Sequence, residues 1–198
     1  MSGFTTPTAR EQYQLARFDI GYAFLDELNR LGYAKPDTAG LVTAGQHGVN
    51  AAYLREMGAL GDGGYRGLPL DQVVRVRDHG ITPDYISGMR QLGYTLTIED
   101  LVRARDHGVD TQYVRDMAAL GFGSTPIERL IAARDHGVTP AYAKELKALG
   151  YDSLTLDDLV VLRDHGVTPD RVRSANARAG SRLPIDMLRS LADSGGLR

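Results

Sequence analysis

Apolar residues recur along this chain at spacings of three and four within short segments, and each segment runs out at a glycine. The stretch from Ile81 to Val109 shows the pattern whole. Tyr85, Met89 and Leu92 make one apolar stripe of a short helix. Thr82 stands ready to accept an orphan backbone N–H as N-cap, and Pro83 suits the first helical position. Ile81 and Ile86 occupy the two places of a hydrophobic staple. Gly93, with apolar Tyr94 behind it, is placed to take the left-handed conformation that ends a helix. The next segment follows the same grammar, with Thr97 and Asp100 as a capping box, Leu96 and Leu101 as a staple, and Gly108 with Val109 as the stop. Two short helices are therefore predicted for each such stretch.

The stretch repeats. Every histidine precedes a glycine, at His47, His79, His107, His136 and His165, spaced by 32, 28, 29 and 29 residues. Four of these extend to Arg-Asp-His-Gly, beginning at Arg77, Arg105, Arg134 and Arg163. A second marker alternates with the first: Leu31-Gly32, Leu60-Gly61, Leu92-Gly93, Leu120-Gly121 and Leu149-Gly150. Periods of this size signify stacked repeats. Helices of about three turns are marginal alone in water, so their stability must come from neighbouring units. The expected fold is all-α, a right-handed α-solenoid of about six hairpins forming one domain. Residues 1–21 would cap its N-terminal end, 22–170 form the core repeats and 171–198 the C-terminal cap, with Gly21 and Gly195 as degenerate stops.

Three departures from the period stand out. The segment Asp62–Gly67 lengthens one loop by four residues, as a surface insertion or a binding loop. Arg171 replaces the aromatic found at Phe24, Tyr53, Tyr85, Tyr113 and Tyr142. The run from Arg173 to Arg182 lacks a Leu-Gly stop, which together with Arg171 suits a unit that has lost its next neighbour.

Composition narrows the function. The 198 residues include no cysteine, which excludes disulfides, thiolate zinc sites and cysteine nucleophiles. A net charge of −2 offers no global attraction to nucleic acid or anionic membranes. No apolar run is long enough for a spanning helix, and the N-terminus lacks a secretory pattern, so a cytoplasmic location without membrane insertion is expected. One histidine per repeat makes a ladder rather than a cluster, because adjacent helices stand roughly 8–10 Å apart. No metal or other cofactor is expected. The recurrent Arg-Asp pair reads as a ladder of inter-repeat bonds, and no nucleophile–base constellation accompanies it, so an enzyme is not expected.

The first helices of the hairpins carry the patterned surface charge. Two residues beyond the aromatic stand Arg55, Ser87, Arg115, Lys144 and Arg173, and the next position holds Glu56, Gly88, Asp116, Glu145 and Ser174. Two readings follow: Arg55, Arg115, Lys144 and Arg173 bind an acidic or extended peptide along a concave groove, or each pairs with the acid of an adjacent unit.

The consensus Gly-Val-Thr-Pro-x-Tyr, Ala-Leu-Gly-Tyr and Asp-Asp-Leu-Val-x-x-Arg-Asp-His-Gly resembles a helical repeat family of bacterial proteins. Such repeats are appended to envelope-stress and beta-lactam-sensing regulatory metallopeptidases. The resemblance covers roughly residues 18–170. It implies a bacterial source and a role in interaction or sensing; the metallopeptidase's own His-Glu-x-x-His is absent, so it implies no protease activity. A fainter likeness, through Asp-His-Gly-Val-Thr-Pro, is to TAL effector DNA-binding repeats, whose base-reading Gly-Gly loop has no counterpart. The expected function is a non-enzymatic scaffold for a protein or peptide partner, with a nucleic-acid-binding array as the alternative.

Overall fold

A computed structural model describes residues 7–34, 36–61 and 67–193 of the chain. Among them it contains thirteen α-helices and no strand. They fall into two compact units, Met1–Asp106 and His107–Arg198. The first unit holds α1 (Ala9–Arg17), α2 (Tyr22–Arg30), α3 (Thr38–Gln46), α4 (Ala51–Ala59), α5 (Leu70–Asp78), α6 (Pro83–Gln91) and α7 (Ile98–Asp106). The second holds α8 (Thr111–Met117), α9 (Ile127–Asp135), α10 (Pro140–Ala148), α11 (Leu156–Asp164), α12 (Pro169–Ala179) and α13 (Ile185–Asp193).

Within each unit, helices pack on the helix two places along, as in a helical repeat array. In the first unit α1, α3 and α5 stack in one layer, and α2, α4 and α6 in the other. In the second unit α8, α10 and α12 stack in sequence, and α9 packs on α11. The apolar stripes meet between the layers. Tyr53, Leu54 and Met57 of α4, and Tyr142, Ala143 and Leu146 of α10, are all buried. The layers are thin, so short helices bury one stripe each and expose the rest.

Local chemistry sets the helix ends where the sequence places them. Thr82, Thr139 and Thr168 accept the backbone N–H three residues on, with proline in the first turn behind each. At Thr97 the Asp100 N–H donates to the hydroxyl at 3.2 Å, and the hydroxyl donates to the Asp100 carboxylate at 2.8 Å. Leu101 is buried as the staple requires, whereas Leu92 and Leu96 are only half-buried. The glycines after the histidines have φ between 67° and 74°, and those after the Leu-Gly leucines between 75° and 96°. In α9 the stop is closed by Val138 N–H donating to Ala133 O and Gly137 N–H donating to Arg134 O, both at 2.9 Å.

One expected stop is displaced. Gly21 has φ −114° and is the N-cap of α2, not a left-handed stop. Asp19, at φ 56°, takes that role, and Ile20 N–H closes the turn on Leu15 O at 2.9 Å. Aspartate tolerates the left-handed region better than most residues because its short side chain bonds locally. Gly195 and residues 62–66 of the lengthened loop lie outside the described residues.

Candidate functional site

Within each unit the repeated motif builds a row of contacts between successive repeats. The histidine Nδ1–H donates to the aspartate of the next motif: His47 to Asp78, His79 to Asp106, His107 to Asp135 and His136 to Asp164, each at 2.7 Å. His165 is bonded likewise to Asp193 of α13. The motif arginine lies over the tyrosine of the preceding repeat, with Arg77 4.9 Å from the Tyr53 ring centre, Arg134 5.3 Å from Tyr113 and Arg163 5.2 Å from Tyr142. The tyrosine hydroxyl donates to the carbonyl just past the next stop. Tyr53 bonds Ile81 O at 2.9 Å, Tyr113 bonds Val138 O at 3.2 Å and Tyr142 bonds Val167 O at 2.8 Å. Burial pushes the pKa of each of these phenols up to about 12, against the pull of the arginine beside it, so each remains a proton donor.

The expected inter-repeat ladder is therefore present, and it is directional. Arginine, aspartate and the carbonyl after the glycine meet the preceding repeat, while histidine and tyrosine face forward. Tyr142→Phe should cost about 1 kcal/mol, because it strips a buried carbonyl of its donor without changing shape. Equilibrium urea denaturation would measure it, and an unchanged midpoint would remove the hydroxyl from the account. Among the described residues no three metal-ligating side chains converge.

The ladder stops at both ends. At the first junction Phe18 stands at the helix end where later repeats have histidine, and Gly45-Gln46 stand where they have Arg-Asp. Phe24, fully buried, replaces the tyrosine and carries no hydroxyl. At the other end Arg171 replaces the tyrosine, Ala192 the arginine, and Asp193 alone is kept to take the bond from His165. The partners of each rung are lost together, as a paired contact requires.

The four cations expected to bind a ligand are all exposed. Arg55 belongs to the first unit, where its Nε lies 3.6 Å from Glu27 Oε2 on the preceding helix of its layer. Arg115, Lys144 and Arg173 share one register on α8, α10 and α12 of the second unit. Arg115 donates to Gln112 Oε1 at 2.9 Å, and Gln112 Nε2 donates to Asp116 Oδ1 at 2.7 Å, so one amide links that base to that acid. Arg173 is bonded within its own helix to Asp170. Among the described residues, pairing with the acid of an adjacent repeat thus occurs at Arg55 alone of the four, and the acid is Glu27 rather than Glu56, Asp116 or Glu145. A cavity of about 420 Å³ opens between the end of α8, the wide turn after it and the start of α10. Asp116, Ala119, Leu120, Pro140, Ala141 and Lys144 line it. It offers one cation and one carboxylate above an apolar floor.

Glu27 is buried, and the hydrogen bond from Arg30 holds its carboxyl below the usual range, with the Arg55 charge adding to the effect. A lowered folded-state value contributes stability above the ordinary 4.5 that is lost as pH falls through the lowered value. The melting-temperature difference between the protein and Glu27→Gln should therefore be steady near neutrality and shrink below pH 4.5. A difference independent of pH would show that the carboxylate charge contributes nothing.

Sequence reasoning did not find the tyrosine hydroxyl bonds or the Gln112 link. The first had a signal in the recurrence of a tyrosine before each stop, 25 residues ahead of the acceptor at Tyr113 and Tyr142 and 28 at Tyr53; the second had none. Comparison of the chain with protein-family models, with curated proteins and with solved structures returned no match. No helix among the described residues is long and apolar enough to cross a membrane.

Proposed function

We propose that the chain is a non-enzymatic repeat scaffold that binds a protein or peptide along the exposed face of α8, α10 and α12. The observation that carries this reading is the register of Arg115, Lys144 and Arg173 on three successive helices, with the cavity beside Lys144. An extended peptide meets same-register residues of stacked repeats in turn. Lys144 and Asp116 at the cavity supply a charge for each sense of side chain, and the alanine and leucine floor accepts an apolar one. The histidines, aspartates and tyrosines of the motif support a scaffold by being committed to one another. The likeness to bacterial sensing repeats points the role toward sensing or stress regulation.

Selection from a displayed library of random peptides tests the reading. The protein should enrich a peptide family that the double reversal Arg115→Glu, Lys144→Glu no longer holds, with helicity and melting unchanged. Individually modest exposed contacts suffice together for micromolar binding. Retention of the same peptides by the reversed protein would sink the proposal. Preference for nucleic acid, with a steep loss of binding as salt rises, would replace it by a polyanion-binding array.

A further inference from the structure

We propose that the exposed side of α12 and the turn that follows it dock an acidic segment of a protein partner. The inference rests on the reading of the chain as a protein-binding scaffold, but on Arg171 and Arg182, which stand outside the row of Arg115, Lys144 and Arg173. The chain as a whole is slightly acidic, at −2. Yet the twelve residues from Arg171 to Arg182 contain Arg171, Arg173, Arg178 and Arg182 and no acid at all. The matching helices carry less charge: α4 pairs Arg55 with Glu56, α8 pairs Arg115 with Asp116, and α10 sets Lys144 and Lys147 against Glu145 for a net +1. In α12 the position of those acids is Ser174, and the position of the buried tyrosine is Arg171. With Asp170 as its one acid against Arg171, Arg173 and Arg178, α12 is the most basic of these four helices, and the two changes account for the difference.

Arg173 is paired with Asp170, but position and partners leave the charge of Arg171 and Arg182 available. α12 is the last helix of its layer among the described residues, packing on α10, and Arg171, Arg173, Ser174, Ala177, Arg178 and Arg182 are exposed. Arg171 donates to Gly166 O at 2.8 Å, and Arg182 to Gly150 O while lying 5.6 Å from the Tyr151 ring centre. Those are neutral partners. Among the described residues neither arginine meets a carboxylate, so both guanidiniums are held in place with their charge uncompensated. A guanidinium oriented in this way loses less freedom on meeting a carboxylate than a mobile one. Ser174, Ala177 and Gly180 between the arginines are small and let a second chain approach closely.

Carboxylate is favoured over phosphate for two reasons. No exposed large aromatic of α12 stands ready to stack a base, as single-strand binders require. The net negative chain repels a long polyanion while tolerating a short acidic segment on one local patch.

Fluorescence anisotropy on the full chain in low salt tests this, with a labelled decaglutamate peptide and a single-stranded deoxyoligonucleotide of the same charge as probes. The peptide should bind. The double variant Arg171→Tyr, Ser174→Glu, which restores the tyrosine and acid of the other repeats and so keeps the fold, should weaken it about tenfold or more. Arg171→Lys should stay within about twofold of the parent. Should the double variant misfold by circular dichroism, Arg171→Gln with Arg182→Gln carries the same expectation. No peptide binding, unchanged binding by the double variant, or tighter binding of the oligonucleotide than of the peptide each overturns the inference. Peptide binding lost in Arg115→Glu, Lys144→Glu but kept in Arg171→Tyr, Ser174→Glu would overturn it while leaving the scaffold reading intact. The reverse pattern would support the docking surface and count against the α8–α10 row.

Discussion

Gly108→Val should lower the stability of the chain by about 2–3 kcal/mol and shift its denaturation midpoint accordingly. Gly108 sits at φ 71°, a conformation in which a β-branched side chain collides with its own backbone. A bare Cβ there would just touch the neighbouring repeat, 3.4 Å from Arg134 Nε. The branched methyls would press on the guanidinium that lies over Tyr113, so the substitution strains the helix stop and disturbs the neighbouring rung together. Gly108→Ala separates the two effects, since it keeps most of the backbone strain and makes only the 3.4 Å contact; about 1 kcal/mol is expected. Guanidinium denaturation followed by circular dichroism measures both. An unchanged midpoint for the valine variant would remove Gly108 as a helix stop.

The stops and starts of the helices were legible because they are local. A threonine before proline, or a glycine after an apolar stripe, carries its own hydrogen-bond logic within five or six residues, and Thr82, Thr139, Gly93 and Gly108 stand where that logic puts them. Gly21 misled for the same reason: glycine is the usual left-handed residue, but Asp19 two places earlier already ends α1. The ladder was legible as a repeat but not in its pairing. Which neighbour His47 meets depends on how far one repeat is displaced against the next, and no single repeat contains that distance. The charge row was least legible. Arg55, Arg115 and Arg173 have equivalent positions and three different partners, because a long flexible side chain takes whichever acceptor its own surroundings supply: Glu27, Gln112 and Asp170.

The first junction inverts the usual advantage of the repeat consensus. At its place in the motif Gly45 would be arginine by comparison with Arg77, Arg105, Arg134 and Arg163, yet Gly45→Arg should destabilise the protein by about 2 kcal/mol. A Cβ at this position would stand 2.6 Å from Phe18 Cβ and 3.0 Å from Ile20 Cγ1, well inside van der Waals contact. Phe18 and Ile20 follow α1, which has no buried residue of its own, so the strain is relieved most cheaply by lifting that helix away. Amide exchange across α1 should accelerate at least tenfold, with α10 and α11 in the second unit unaffected. Gln46→Asp, at the exposed neighbouring position, should leave exchange unchanged, because the histidine that would bond a new carboxylate is here Phe18. If Gly45→Arg melted with the parent and kept the protection of α1, the close seating of Phe18 against α3 would not be what separates this junction from the others. The glycine would then be an accident of the sequence rather than half of a matched pair.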